Sequence, residues 1–196
     1  MIKKVLLIIF LTACLSRIAQ AGMVTFDFDS LDSGTDAAEI GSYMTDVYGS
    51  TVTVTDATTN NTAGGYLDDS MHLIDTQPDG RHIFTISFGE TPISGLSFDW
   101  RRQQDEIHLD VVYMNGTEVK DVFLDISNGS DGGSASGPGE WISFDDGFVR
   151  ELTFHDSNRG FIEIDNLVVS PVPLPASILL GAFAVGLSGW KLRLFV

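Results

Sequence analysis

Trp100 is followed by four polar side chains, those of Arg101, Arg102, Gln103 and Gln104. The C–H faces of sugar rings stack on aromatic rings, whereas sugar hydroxyl groups need fixed hydrogen-bond donors and acceptors. A tryptophan followed by guanidinium and amide groups offers both kinds of contact. This segment is therefore the strongest candidate for a carbohydrate-binding site in the sequence.

Two other interpretations of the aromatic residues stay open. In the first, Trp100 continues the apolar face of Leu96 and Phe98, so its ring belongs to the core and the polar residues form a solvated strand end. In the second, the aromatic platform is Tyr66 or Trp141.

Little in the sequence points to catalysis. The G-x-S-x-G and H-E-x-x-H motifs are absent, as is a phosphate-binding glycine loop. The four histidines are spread over separate segments without ligand-like spacing, so we interpret each as an ordinary strand or loop residue: His72, His82, His108 and His155. The paired carboxylates of a glycosidase cannot be recognised in this sequence, because in a chain this acidic almost any two carboxylates could meet in a cleft. We expect no enzymatic activity and rank a glycan hydrolase last among the candidate functions.

Short, alternating apolar patterns predict the strands that must position these residues. Thr25 to Asp29 places both phenylalanines on one face and both aspartates on the other. Ile107 to Met114 and Thr117 to Ile126 are predicted to form a hairpin with a type I′ turn at Asn115-Gly116. Further strands are predicted at Thr51 to Thr55, His82 to Phe88, Leu96 to Trp100, Trp141 to Phe144, Val149 to His155 and Phe161 to Val169.

Helix signals are nearly absent, and eight to ten short strands in about 150 residues favour an all-β fold. An antiparallel β-sandwich of jelly-roll type is the most economical arrangement. Asn128 to Gly139 contains five glycines and three serines, which predicts a loop or rim segment and not a strand.

Two segments, Thr25 to Leu31 (TFDFDSL) and Phe161 to Val168 (FIEIDNLV), resemble the first and last strands of galactose-binding-like and carbohydrate-binding jelly rolls. The resemblance implies that the terminal strands lie side by side. It also implies that acidic residues on these strands ligate a structural calcium ion.

Asp27 or Asp29, together with Asp165 and Asn166, is the set we predict for such a calcium ion. Calcium takes six to eight hard oxygen ligands, which carboxylates on two adjacent strands and backbone carbonyls can supply. The alternative is that these residues lie on a solvated strand face. Asp131 is a weaker candidate.

Acidic residues dominate the middle of the chain. All 27 Asp and Glu lie between Asp27 and Asp165, whereas only six of the 11 Lys and Arg lie between Gly22 and Ser170, giving a formal charge of −21 for this segment. The electric field of this negative charge repels nucleic acids and anionic lipid headgroups and attracts divalent cations. We therefore exclude nucleic acids as partners, although solubility alone also accounts for the charge.

The N-terminus has the features of a secretory signal peptide, which we assign to residues 1–21. Lys3 and Lys4 precede an apolar run, and Ala19-Gln20-Ala21 provides a small-x-small cleavage pattern before Gly22. Cleavage by signal peptidase there would remove Cys14, the one cysteine, and leave the mature chain without disulfides. The alternative is a lipobox in which Cys14 becomes lipidated.

Residues 171–196 form a C-terminal tail. Val172-Pro173-Leu174-Pro175 precedes the uncharged apolar run Ala176 to Trp190, and the basic residues Lys191 and Arg193 follow it. At about 1.5 Å per residue this run spans roughly 22 Å, less than the ~30 Å hydrocarbon core, so it reaches across a bilayer only with the residues that follow. Lys191 and Arg193 would keep its end cytoplasmic.

The order of proline motif, apolar helix and basic end resembles the PEP-CTERM sorting signal of exopolysaccharide-producing Gram-negative bacteria. The resemblance implies processing by an exosortase and transfer from the inner membrane to the cell surface. A plain membrane anchor is the alternative.

Taken together, these features predict an exported, acidic β-sandwich at residues 22–170, flanked by two targeting segments. We expect a non-enzymatic protein of the cell surface or extracellular matrix, associated with exopolysaccharide and biofilm. A lectin-like carbohydrate-binding module is the second function that the sequence leaves open.

Overall fold

The computed structural model describes residues 22–61, 70–75, 83–102, 107–125, 135–144, 147–156 and 162–172. Met23–Pro171 forms one compact unit. The described part of the compact unit contains one helix, α1 (Ala37–Tyr48), and twelve strands. The strands are β1 (Val24–Phe26), β2 (Thr53–Thr55), β3 (Ala57–Asn60), β4 (His72–Asp75), β5 (Ile83–Ser87), β6 (Ile93–Arg102), β7 (Ile107–Tyr113), β8 (Glu118–Asp125), β9 (Ala135–Gly137), β10 (Ile142–Ser143), β11 (Val149–Asp156) and β12 (Ile162–Pro171).

The strands pair antiparallel throughout and form two sheets. The first has the order β2-β5-β11-β7-β8. The second sheet has β12 and β6, which pair with each other, at its centre. Along its other edge β12 pairs with β4 and with β1, and β3 pairs with β4. Along its other edge β6 pairs with β9 and with β10. A single residue pair, Val149 with Ile93, connects the two sheets at one corner.

Aromatic side chains fill the space between the two sheets. Phe98 on β6 meets Phe154 on β11 edge to face at 5.1 Å, and Phe123 on β8 at 5.2 Å. Phe98 and Phe154 are both fully buried, and Phe84 stacks on Phe154 within the first sheet. Because β6 belongs to one sheet and β8 and β11 to the other, these contacts hold the layers face to face. The predicted antiparallel β-sandwich is confirmed.

The first and last strands lie side by side, as the resemblance to jelly rolls implies. β1 pairs with β12 so that Phe26 lies opposite Leu167. The strand is shorter than the predicted Thr25 to Asp29, because Phe28 has a positive φ of 55° and the chain turns there. Both phenylalanines are nevertheless fully buried. The alternation therefore predicted their burial correctly and the length of the strand incorrectly.

The predicted hairpin of β7 and β8 is confirmed, but its turn is not of type I′. A type I′ turn needs a positive φ at both central residues, and here only Gly116 has one, 84°. Gly116 N–H donates to the Tyr113 carbonyl, and Tyr113 N–H donates to the Thr117 carbonyl. The loop therefore has three residues, a type I turn completed by a left-handed glycine.

Helix α1 contradicts the expectation that helices are nearly absent. Asp36 caps its N-terminus, since the carboxylate accepts a hydrogen bond from Glu39 N–H at 3.0 Å. Gly49 ends it with a left-handed φ of 74° and donates to the Thr45 carbonyl. Ile40 and Met44, one turn apart, are fully buried against the sandwich.

Three short strands were also missed. β3 and β4 pair with each other and add to the edge of the second sheet. β9 lies within Asn128 to Gly139, the segment expected to be only a loop or rim. Ala135–Gly137 pairs with Trp100–Arg102, which adds an edge strand to β6.

Candidate functional site

The outer face of the second sheet carries Trp141, an exposed aromatic residue with polar side chains along the same face. Along β6, Leu96, Phe98 and Trp100 point into the core, so Gly95, Ser97 and Asp99 point outward. Pairing with β12 adds Asp165 opposite Asp99 and Val168 opposite Ser97. We refer to the exposed part of this surface, Trp141, Ser97, Asp99 and Asn166, as the Trp141 face.

Trp141 lies over Gly95 at one end of this face. It precedes β10, which pairs with β6 so that Ser143 lies opposite Gly95. A Cβ on Gly95 would come 2.7 Å from indole carbon Cζ2, closer than side-chain atoms pack, so only glycine allows the ring this position. The indole N–H donates to Ser143 Oγ at 3.1 Å, and 42 % of the residue remains exposed. The indole is thus fixed on one side and open to solvent on the other.

Polar groups continue from the indole along the same face. Asp99 lies four residues from Gly95, about 13 Å at 3.3 Å per residue. Its Oδ2 accepts a hydrogen bond from Asn166 Nδ2 at 2.9 Å. Asn166 is exposed and has a positive φ of 47°, in a bulge where Asn166 and Leu167 oppose Phe98 alone. The bulge directs the Asn166 amide onto the outer face beside Asp99.

Trp100 occupies the core, which is the alternative left open by the sequence. It is 9 % exposed and packs against Phe123 at 6.1 Å. Its ring therefore offers no broad face to a sugar, whereas Trp141, another candidate from the sequence, is 42 % exposed. Tyr66, the other candidate, lies outside the described residues.

Of the polar residues after Trp100, Arg101 is the one whose side-chain contacts the structure describes. Arg101 points outward, but its Nε lies 3.2 Å from Glu163 Oε2 and its side chain is only 11 % exposed. His72, fully buried, lies 3.4 Å from the other Glu163 oxygen. Arg101 therefore contributes to a buried ionic cluster and not to an open surface. Arg102 ends β6 opposite Ile162, and Gln103 and Gln104 lie outside the described residues.

The residues predicted to bind calcium come together only in part. Asp165 is 2 % exposed, and the nearby Asp29 carboxylate accepts a hydrogen bond from Met71 N–H at 3.0 Å. Asp27 instead accepts a bond from the Tyr43 hydroxyl at 3.2 Å, and Asn166 donates to Asp99. Asp131 lies outside the described residues. The calcium site stays a prediction, now centred on Asp165 and Asp29.

The Asp165 carboxyl is in an unfavourable place for a charge. Burial raises its pKa, and the neighbouring Asp29 carboxylate raises it further. Hydrogen bonds from Ser70 and from Asn166 N–H, the latter at 2.7 Å, oppose this shift. A cation at this position would offset the cost of the desolvated carboxylate.

A concave surface lies beside helix α1. This open groove of about 540 Å³ is lined by α1 and the segment around β2, and its charged residue is Asp46. None of its lining residues is aromatic, so it lacks a stacking platform. The Trp141 face is therefore the better candidate for a sugar.

The predicted targeting residues lie mostly outside the described residues. These are Ala19, Ala21, Pro173, Leu174, Pro175, Lys191 and Arg193; Gly22 and Val172 lie at the ends of the described part. Within that part, no helix combines the length and apolar character needed to cross a bilayer.

Neither family models nor curated proteins match this sequence. Among solved structures, it is similar to a mutant of the family 29 carbohydrate-binding module CBM29-2 complexed with mannohexaose. The two share 15 % identity with a TM-score of 0.44, over 76 % of this chain and 90 % of that one. It is also similar to another structure of a family 29 carbohydrate-binding module, at 14 % identity and a TM-score of 0.42, over 76 % and 87 % of the two chains. At this identity the likeness concerns the fold alone.

Proposed function

We propose that this chain is an exported, non-catalytic protein that binds carbohydrate through the Trp141 face. The observation that carries the proposal is the indole of Trp141, fixed on Gly95 and Ser143 while 42 % of the residue stays exposed. A pyranose ring presents a flat C–H surface that can stack on such an exposed aromatic ring. The binding function that the sequence ranked second is thus the one the geometry supports best.

The polar part of the face supplies the other half of sugar recognition. The Asp99 carboxylate and the Asn166 amide, joined by a 2.9 Å hydrogen bond, together offer acceptors and donors to hydroxyl groups. Because the pair is held by the β12 bulge, ligand binding need not order it. A chain of several sugar units could lie along β6 from the indole to this pair.

Charge narrows the class of ligand. The segment between Gly22 and Ser170 has a formal charge of −21, and Asp99 lies on the binding face itself. Polymers rich in uronate or sulfate would be repelled by this field. We therefore infer a neutral polysaccharide as the ligand.

Location and delivery belong to the same proposal. The N-terminal signal would be removed by signal peptidase, and an exosortase would process the tail at Val172 to Pro175. The sandwich would then act at the cell surface or in the extracellular matrix, bound to the exopolysaccharide of a biofilm. Both ends of the chain support this placement by their sequence patterns.

A panel of immobilised neutral and acidic polysaccharides tests the proposal. The chain should be retained by at least one neutral polymer, and Trp141→Ala should not be retained. Retention of both proteins alike would place the binding surface elsewhere. If no polymer retains the chain, carbohydrate binding at this face is contradicted. Release of reducing sugars from a bound polymer would show an enzyme.

A further inference from the structure

Two histidines that are 47 residues apart in the sequence come together on the outer face of the first sheet. His108 on β7 lies directly opposite His155 on β11. Their imidazole rings are parallel within 5° and their centroids are 4.8 Å apart. This face belongs to the opposite sheet from Trp141, so the pair is separate from the carbohydrate-binding face.

A carboxylate from a third strand completes the cluster. Asp121 lies on β8, and its Oδ1 is 2.7 Å from His108 Nδ1. The β7–β8 pairing is irregular at this point, and Asp121 has a positive φ of 56° that brings it beside His108. One ligand atom from each of His108, Asp121 and His155 can be chosen so that all lie within 4.8 Å of one another.

A second carboxylate, that of Asp110, contacts both Asp121 and His155. As a residue Asp110 is 9 % exposed, and its Oδ1 accepts a hydrogen bond from Asp121 N–H at 2.9 Å. Its Oδ2 lies 3.2 Å from His155 Nε2. Asp110 therefore fixes both the backbone of the β8 irregularity and the orientation of the His155 ring. Carboxylates that orient a histidine in this way are typical of the surroundings of metal sites.

We propose that His108, Asp121 and His155 bind a divalent transition metal, with Zn²⁺ as the best fit. Imidazole nitrogen and carboxylate oxygen are ligands of zinc, whereas calcium takes oxygen ligands only. Tetrahedral zinc with bonds of about 2.0–2.1 Å separates its ligand atoms by roughly 3.3 Å, so the widest pair must close by about 1.5 Å. Small rotations of exposed side chains achieve this, since Asp121 is 48 % and His155 28 % exposed at the side chain.

The position of the cluster defines what the metal would do. Its three ligands come from three neighbouring strands, β7, β8 and β11, so the ion would cross-link the edge of the first sheet and fix the irregular part of β8. Binding only the folded state, it would stabilise the sandwich by mass action. The surrounding charge of −21 would raise the local concentration of the cation.

Titration of the metal-free, untagged full chain with Zn²⁺ tests this proposal. We expect one tight equivalent of Zn²⁺ per chain and a higher Tm. His155→Gln and Asp121→Asn should each weaken binding at least tenfold. Glu151→Gln is the matched control, because it removes one negative charge from the outer face of β11 without touching the cluster. It should leave the affinity within twofold of that of the parent chain.

Co²⁺ provides a readout that does not depend on the variants folding. Bound in place of zinc by two imidazoles and a carboxylate, it should give the visible absorption of a low-symmetry four-coordinate ion, and Zn²⁺ should abolish that absorption. The proposal is overturned if Ca²⁺ abolishes the Co²⁺ absorption as effectively as Zn²⁺ does at equal ionic strength. An unchanged affinity in both ligand variants, or an octahedral Co²⁺ spectrum, would contradict it equally.

Discussion

The indole of Trp141 rests directly on the backbone of Gly95, where a methyl group would come 2.7 Å from the ring carbon Cζ2 and 2.8 Å from the Ile142 carbonyl oxygen. Because the carbonyl belongs to the ladder between β10 and β6, the backbone cannot move aside without breaking that pairing. The position of the ring therefore depends on the absence of a side chain at residue 95.

Gly95→Ala should displace the Trp141 ring and leave the rest of the sandwich folded. The indole would lose its contact with β6 and its hydrogen bond to Ser143, so its fluorescence emission should shift to longer wavelength. A moderate fall in Tm, of the size expected for a strained surface contact, should accompany the shift. Trp141→Phe identifies the contribution of this ring to the emission. An unshifted spectrum in Gly95→Ala would contradict the packing of the indole on Gly95.

Removing the N-cap of α1 should destabilise the fold by about 1 kcal/mol. Asp36→Ala deletes the carboxylate that accepts from Glu39 N–H, whereas Asp36→Asn keeps an oxygen in the same place. Urea unfolding should therefore show the loss in the alanine variant and little of it in the asparagine variant. Equal losses in both variants would mean that charge and not hydrogen bonding stabilises the helix end.

Tyr48 should make the fold sensitive to alkaline pH. Its ring packs against Phe88 at 5.2 Å and its hydroxyl donates to the Thr91 carbonyl at 2.8 Å. Burial raises the pKa of the phenol well above its usual value near 10. Its contribution to stability is complete below about pH 9. It is lost at higher pH, because the unfolded chain then releases a proton that the folded chain retains.

Comparison with Tyr48→Phe isolates this effect. The variant should be less stable at pH 7 by about 1 kcal/mol, the value of one hydrogen bond, and the difference should shrink above pH 10. A difference that stays constant from pH 7 to pH 11 would show that Tyr48 does not titrate differently in the two states.

Calcium should stabilise the chain more than magnesium does at equal ionic strength. The desolvated carboxylate of Asp165 beside Asp29 favours a cation, and magnesium fits a flexible oxygen cage poorly because it demands octahedral geometry at about 2.0–2.1 Å. A hundredfold excess over Kd would add about 2.7 kcal/mol. Asp165→Asn should remove the calcium-specific rise in Tm and leave the screening effect common to both ions. If the two ions act alike on the parent chain, the acidic residues form no calcium site.

Local patterns were sufficient to predict most strands. Alternation placed Leu96, Phe98 and Trp100 on one face, and all three are buried, which also decides against Trp100 as a sugar platform. Helix α1 was missed although Asp36, Glu39 and Gly49 are ordinary capping residues. Its apolar face is narrow, since only Ile40 and Met44 among its large side chains are fully buried.

The sites depend on strand register, which sequence spacing does not reveal. His108 and His155 show no ligand-like spacing, yet the β7–β11 ladder places them directly opposite each other. Likewise, nothing local indicates that Trp141 covers Gly95, because that contact needs β10 to pair with β6 in one register. A glycine within an apolar strand was the one available signal that a side chain approaches closely.

The affinity of Trp141 variants for the neutral polysaccharide selected by the panel is the most direct test of the proposed function. Trp141→Ala should weaken binding at least tenfold, which corresponds to about 1.4 kcal/mol, and should lower Tm no more than Gly95→Ala does. Trp141→Phe should retain part of the affinity, because it keeps an aromatic face. Met114→Ala, which removes an exposed apolar side chain from the β7–β8 turn, should bind like the parent chain. Equal affinities for the parent chain and Trp141→Ala would contradict carbohydrate binding at this face.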